Sequence, residues 1–321
     1  MRRFLIFIVV LALLAAAAWY GEQWNYAQPG PSPKDTVVLV KPGEGVATIA
    51  QQLQGAGVIA NADIFRLGLR IRGQQSQLKA GEYGFPAHAS MADAAGILIA
   101  GKSLQHKLTA AEGLTTDMIY KLVVANDVLV GDAGAEPAEG TLLPETYLFT
   151  RGMTRAHLIA LMRAAQRKFV DAHWASRASG LPVATPQTAI ILASVVEKET
   201  ALPEERRHIA SVFENRLRQG IKLESDPTII YGLTKGYPLG RGIRESELTR
   251  ATPYNTYVIA GLPPTPICNP GKDAIAAVLD PENTTDLFFV ANGTGGHTFT
   301  PNYAEHQKNV ARLRQIEKSH H

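Results

Sequence analysis

The sequence predicts an α+β protein with an N-terminal transmembrane helix, a small βααβ domain and a larger α+β domain. Three observations carry this. Phe4 to Tyr20 is an unbroken apolar run of 17 residues. Asp35 to Phe85 reads as strand, helix, helix, strand. Ala189 to Thr200 reads as a buried helix that ends in two carboxylates, with further helices, irregular segments and a hairpin after it. The boundaries fall at 1–21 for the membrane helix, 22–35 for a linker, 36–105 for the small domain and 106–321 for the large one.

The apolar run spans roughly 26 Å as a helix, close to the hydrocarbon thickness of a bilayer. Arg2 and Arg3 precede it and the next basic residue is Lys34, so the short positive end is expected in the cytoplasm. Trp19, Tyr20 and Trp24 sit where an interfacial aromatic belt would lie. A cleaved signal peptide is the rival reading, since Ala15 to Ala18 supplies small residues. The length of the run and its aromatic end favour the anchor, and both readings export the rest of the chain. No cysteine comes directly after the run, which excludes a lipoprotein.

Ala27 to Pro33 is proline-rich and reads as an extended linker that packs little. Asp35 to Val40 is β-branched and strand-like. Pro42-Gly43-Glu44-Gly45 turns the chain into a helix over Val46 to Gln54, with Val46, Ile49, Ala50 and Leu53 on one stripe. Asn61 suits the N-cap of a second helix over Ala62 to Ile71, and Leu78 to Phe85 returns as turn and strand. This order resembles a LysM-like module of the kind that binds cell-wall glycans, with a plain packing or spacer domain as the alternative. Helices are expected over Ser90 to Ala100 and Arg155 to Trp174, a strand over Leu104 to Leu108, and a loop over Asp127 to Glu139. Thr109 to Tyr120 echoes Val40 to Ala50, a possible partial repeat.

In the stretch from Ala189, Leu192, Val195 and Val196 succeed Ile191 at helical spacing. Glu199 comes four residues after Val195 and three after Val196, which places it on the apolar face. Glu197 comes after Ala193 and Ser194, a less apolar flank. A carboxyl in apolar surroundings has its pKa raised, as a general acid near neutral pH requires. The bland alternative is a solvated helix end. Downstream, Pro203 to Leu217 reads as a helix, Asp226-Pro227 as a helix start with Asp226 at the N-cap, and Asp286 to Val290 and Asn292 to Phe299 as strand and hairpin. A closing helix runs from Tyr303 to Lys318.

Six segments together are specific: Val196-Glu-Lys-Glu-Thr200, Val212-Phe-Glu-Asn-Arg-Leu217, Asp226-Pro-Thr-Ile-Ile-Tyr231, Tyr254-Asn-Thr-Tyr257, Gly261-Leu-Pro-Pro264 and Gly296-His-Thr-Phe299. In this order they resemble the YceG-like family of endolytic murein transglycosylases, and the likeness covers essentially the whole chain. The resemblance implies an inner-membrane anchor, a periplasmic catalytic domain, peptidoglycan strands as substrate and peptidoglycan synthases as possible partners. It implies no cofactor. It further implies lytic cleavage between N-acetylmuramic acid and N-acetylglucosamine, leaving a 1,6-anhydro end. One glutamic acid suffices for that, because the nucleophile belongs to the substrate, whereas ordinary glycosidases need two carboxylates.

Glu199 is the expected acid, on its helical face and because Glu199-Thr200 is similar to the Glu-Ser pair of lysozyme-like lytic enzymes. Glu197 is then expected in a helix-end salt bridge. Glu145, Asn215, Asp226, Tyr231, Tyr254 and Asn255 are candidate sugar contacts, each with a structural alternative as cap, turn former or core residue. His297 either lines the cleft or bonds within its hairpin. A hydrolytic muramidase and a non-catalytic wall-binding scaffold are the other readings. His297 and His306 match no zinc spacing, and Gly293-Thr-Gly-Gly296 lacks the lysine of a phosphate loop, so metal and nucleotide enzymes are disfavoured. A net charge of +3 without a long basic run gives no case for nucleic acid.

Overall fold

The computed structural model describes residues 2–319; Met1, His320 and His321, included in the domain boundaries above, lie outside the described residues. The fold is α+β, and the chain divides into two compact units. One comprises the residues through His106 together with Leu148–Gly152, and the other comprises Lys107–Tyr147 and the residues from Met153 onward.

In the first unit, α1 (Arg2–Ala27) is followed by β1 (Thr36–Val40), α2 (Val46–Gly55), α3 (Ala62–Ile71), β2 (Gly81–Phe85) and α4 (Met91–Ala100). β1 pairs antiparallel with β2, from Thr36 opposite Phe85 to Val40 opposite Gly81. Val38 and Val40 face inward while Val37 and Leu39 are exposed, so β1 alternates more cleanly than its composition suggests. Asn61 caps α3 as expected, accepting from the Asp63 and Ile64 N–H groups. Ser90 and Asp93 form a capping box on α4. Leu53, Ile59, Phe65, Leu69, Tyr83, Phe85 and Leu98 fill the core.

The stretch expected as a linker over 22–35 is helical at its start and packed against the small unit. Helix α1 continues through residue 27, and Tyr26 is only 2% exposed, inside the core of the small unit. Its ring stacks 6.2 Å from that of Phe65, and the Arg72 guanidinium lies 3.9 Å above it. Arg72 also donates to Glu22 at 2.9 Å and to Gln23 at 2.7 Å. The proline-rich stretch is packed as well. Gly30 donates to the His88 carbonyl, and a Cβ on Gly30 would come within 2.2 Å of the Ala89 carbonyl oxygen. The absence of a side chain at Gly30 is what admits the backbone. Tyr26→Ala is expected to destabilise this unit by about 3–5 kcal/mol, the range for truncating a buried aromatic. Faster hydrogen exchange at the α3 amides is the readout, with exchange in the second unit unchanged.

The second unit holds α5 (Thr116–Ala125), α6 (Arg155–Ala175), α7 (Pro186–Glu199), α8 (Arg206–Arg218), α9 (Asp226–Thr234), the short α10 (Glu245–Leu248), α11 (Lys272–Leu279), β5 (Phe288–Ala291), β6 (His297–Thr300) and α12 (Tyr303–Ser319). The chain passes between the units along β3 (His106–Thr109) and β4 (Thr146–Phe149), which pair with one another. β5 and β6 form an antiparallel hairpin, Phe288 opposite Thr300. Helix α5 stands in the same order after β3 as α2 does after β1. Each turn carries a glycine at positive φ, Gly43 at 85° and Gly113 at 74°.

Helix α7 is the centre of the second unit. Thr185 and Thr188 form its capping box, Pro186 takes the first turn, and every residue from Ala189 to Val196 is buried. It is therefore buried all round rather than on one face, packed against α6, α8, α9 and α11. Ser194 fits in this interior because both its roles are used. Its hydroxyl donates to the Ile191 carbonyl at 2.7 Å and accepts the Ile267 N–H at 3.0 Å.

Candidate active site

Helix α7 ends where Thr200 becomes extended (φ −141°), and its hydroxyl accepts the Leu202 N–H at 3.0 Å before Pro203 opens the next turn. Glu199 is the last helical residue. It lines a recess of about 340 Å³ with Glu112, Gly113, Glu197, Lys198, Thr200, Ala201 and Arg206. Glu199 Oε1 accepts a 2.5 Å hydrogen bond from Ser225 Oγ. Burial pushes the Glu199 carboxyl up to about 7. The Ser225 bond pulls it down, the Asp226 charge pushes it up, and His297 and Arg216 pull it down. The unpaired carbonyls at a helix C-terminus also disfavour a carboxylate there. The outcome is a carboxyl that holds its proton into the neutral range.

Ser225 is a site residue that the sequence did not single out. It, not Asp226, is the N-cap of α9, yet its side chain caps nothing. Its hydroxyl goes instead to Glu199, and its N–H donates to Thr256 Oγ1 at 2.9 Å. Thr228 completes the brace, donating to the Ser225 carbonyl at 2.6 Å and sharing a 2.9 Å bond with Thr256. Asp226 opens α9 and accepts from the Tyr257 hydroxyl at 2.7 Å. Thr256 and Tyr257 thus hold residues 225 and 226, and Ser225 bonds Glu199. A serine before Asp-Pro signals a helix start; nothing local signals the diverted hydroxyl.

Other expected contacts are committed within the protein. Asn255 is buried, and its amide donates to the carbonyls of Glu247, Leu248 and Arg250 at 2.8–3.1 Å. Its Oδ1 accepts the Tyr257 N–H at 3.0 Å, so it positions the loop and presents no free amide to a sugar. Asn215 likewise donates to the carbonyls of Thr284 and Asp286, both at 3.0 Å. Tyr231 is buried and donates to Glu139 at 3.1 Å. The half-buried Tyr254 has its ring 5.0 Å from that of Tyr231, and its hydroxyl pairs with Thr265. Glu145 is exposed and paired with Lys272, outside the Glu199 recess. His297 shares a 2.6 Å bond with Glu205 Oε2 and donates its N–H to Oε1 at 2.7 Å. Burial pushes Glu205 up, but the bonds from His297 win and hold it below the usual carboxylate range.

Glu197 makes no helix-end salt bridge among the described residues. It accepts the Gly271 N–H at 2.9 Å, and burial pushes its carboxyl up more than that bond pulls it down. Arg206 is buried at the recess, 3.6 Å from Glu112 and 3.2 Å from Asp273. Behind the recess wall, Asn269 is fully buried and ties Leu114, Thr116, Glu139 and Leu142 together. Arg216 braces the approach to Ser225, donating to the carbonyls of Lys222, Leu223 and Leu287.

The YceG-like family model matches residues 38–312 of the chain. The chain belongs to the YceG-like family. Among similar proteins, the endolytic murein transglycosylase of Streptococcus pneumoniae is 30% identical over 358 aligned positions, covering 95% of this chain and 64% of that one. The endolytic murein transglycosylase of Bacillus subtilis is 33% identical over 186 residues, 58% of this chain and 50% of that one. This YceG-like chain therefore spans under two thirds of the length of those relatives. A 2.6 Å crystal structure of the yceG-like protein lmo1499 from Listeria monocytogenes superposes with a TM-score of 0.53 at 27% identity, covering 86% of this chain and 99% of that one.

Proposed function

We propose that this YceG-like protein is an endolytic murein transglycosylase with Glu199 as its single acid and base. The observation that carries the reading is the Glu199 carboxyl, which lines a recess, is raised to about 7 by burial and is held by the Ser225 hydroxyl. Protonated Glu199 gives its proton to the glycosidic oxygen as the C1–O bond breaks. The muramoyl 6-hydroxyl closes on C1, and its proton returns to the Glu199 carboxylate. One C–O bond breaks, one forms, and no water is consumed. The Ser225 bond orients the carboxyl in both protonation states. In this reading Asp226, whose charge pushes the Glu199 carboxyl up, stabilises positive charge developing at C1.

Helix α1 has the length and mean hydropathy (2.5) to cross a bilayer. In this reading it is a retained anchor, Arg2 and Arg3 stay cytoplasmic, and the second unit works in the periplasm on strands near the membrane. The βααβ part of the first unit is assigned to glycan binding as a LysM-like module. The test is digestion of uncrosslinked glycan by the full chain, with products weighed. Internal fragments one water lighter than hydrolysed ends are expected. Reducing ends would make it a muramidase, and glycan binding without cleavage would make it a scaffold.

A further inference from the structure

The junction of α1 with the small unit has a geometry that a loose tether would not need. Trp19, Glu22, Gln23 and Tyr26 share one helical face. Three of them are occupied by α3. Tyr26 meets Phe65, a Cβ on Gly68 would come within 2.2 Å of the Tyr26 ring, and Glu22 and Gln23 receive Arg72. As α3 proceeds from Phe65 to Arg72, its contacts on α1 extend from Tyr26 alone to Tyr26 together with Gln23 and Glu22. The C-terminal end of α3 therefore points toward the apolar part of α1. Glu22 lies only about 3 Å along the axis from Tyr20, the end of that apolar run. The headgroup layer on one side of a bilayer is about 5–8 Å deep, so this end of α3 falls within it.

The surface there has the matching chemistry. Leu67 and Ile71, one turn apart beside the Gly68 contact, are 50% and 47% exposed. Trp19, below Glu22 on the same face of α1, is 57% exposed. Arg70 and Arg72 flank Ile71, with Arg70 exposed. Apolar side chains beside arginines, at the depth where a tryptophan already marks the interface, fit acyl-chain tops below and phosphates above.

We infer that the Leu67/Ile71 edge of α3, continuous with Trp19 of α1, is a membrane-contact surface seated in the headgroup layer of the bilayer that α1 crosses. This rests on the reading of α1 as a retained span. The small unit then stands at a fixed height on the membrane. The test uses the full chain in liposomes of phosphatidylethanolamine and phosphatidylglycerol, with lipids brominated on their acyl chains as quenchers. Ile71→Cys, Asp63→Cys and Leu11→Cys each carry an environment-sensitive fluorophore; the native Cys268 is buried. Asp63 lies eight residues, or about 12 Å, up α3 from Ile71. The label at position 71 is expected to be quenched at least half as strongly as that at 11, and the label at 63 no more than in quencher-free vesicles. Quenching at 11 with 71 as unaffected as 63 would overturn the surface and leave the anchor standing. No quenching at 11 would overturn the anchor, and the surface with it.

Discussion

Glu199→Gln lowers the cleavage rate on uncrosslinked glycan by about 10²–10⁴-fold, the usual contribution of a general acid. The amide keeps the shape and still accepts from Ser225, so orientation survives while the transferable proton is lost. Folding is not expected to suffer. A carboxyl whose pKa is raised by burial favours the folded state protonated, and that preference is lost as pH rises through about 7. A neutral amide avoids the cost of the buried carboxylate above that pH. Product release by mass spectrometry and a thermal midpoint on the same sample check both halves. Retained cleavage would remove Glu199 from the mechanism.

Asn269→Ala is expected to destabilise the second unit by about 2–4 kcal/mol, because it leaves several buried polar groups unpaired at once. Asn269 is 0% exposed; its Oδ1 accepts the Leu142 N–H at 2.9 Å and its amide donates to the Leu114 carbonyl at 3.2 Å and to Thr116 at 3.0 Å. The amide also reaches Glu139 at 3.3 Å, a carboxyl that burial already pushes up. Truncation leaves that carboxyl with fewer donors and the Leu142 N–H with none. Because Gly113 beside Leu114 lines the recess, activity falls with stability. Urea unfolding measured alongside cleavage is the check, and a change under about 0.5 kcal/mol, no more than a typical exposed substitution, would show that the network carries little.

The elements with strong periodicity or caps are legible in the sequence. Asn61 and α3, Ser90 and α4, and the apolar run of α7 are local signals, and the structure agrees with them. Helices α5 and α11 are not, the first visible only as an echo of an earlier segment and the second short and set behind irregular chain. The linker misleads because proline composition marks extended backbone, not whether it packs; Gly30 lying on Ala89 is a tertiary fact. The site divides the same way. The apolar positions before Glu199 point to a buried carboxyl, and burial is what raises it. Asn215 and Asn255 have the right side chains for sugars, but residue type does not show which atoms meet them, and both hold backbone carbonyls. Ser225 and Glu199 are 26 residues apart and Asn269 and Glu139 are 130 apart, separations that only packing closes.

The pH dependence of kcat on uncrosslinked glycan tests the role of Glu199 most directly. With one carboxyl acting first as acid and then as base, activity requires it protonated at the start of each turnover. The predicted result is a single descending limb, with activity lost as pH rises through about 7. A rate that stays constant through the neutral range, or that falls away in the ordinary carboxylate range, would contradict Glu199 as the buried acid.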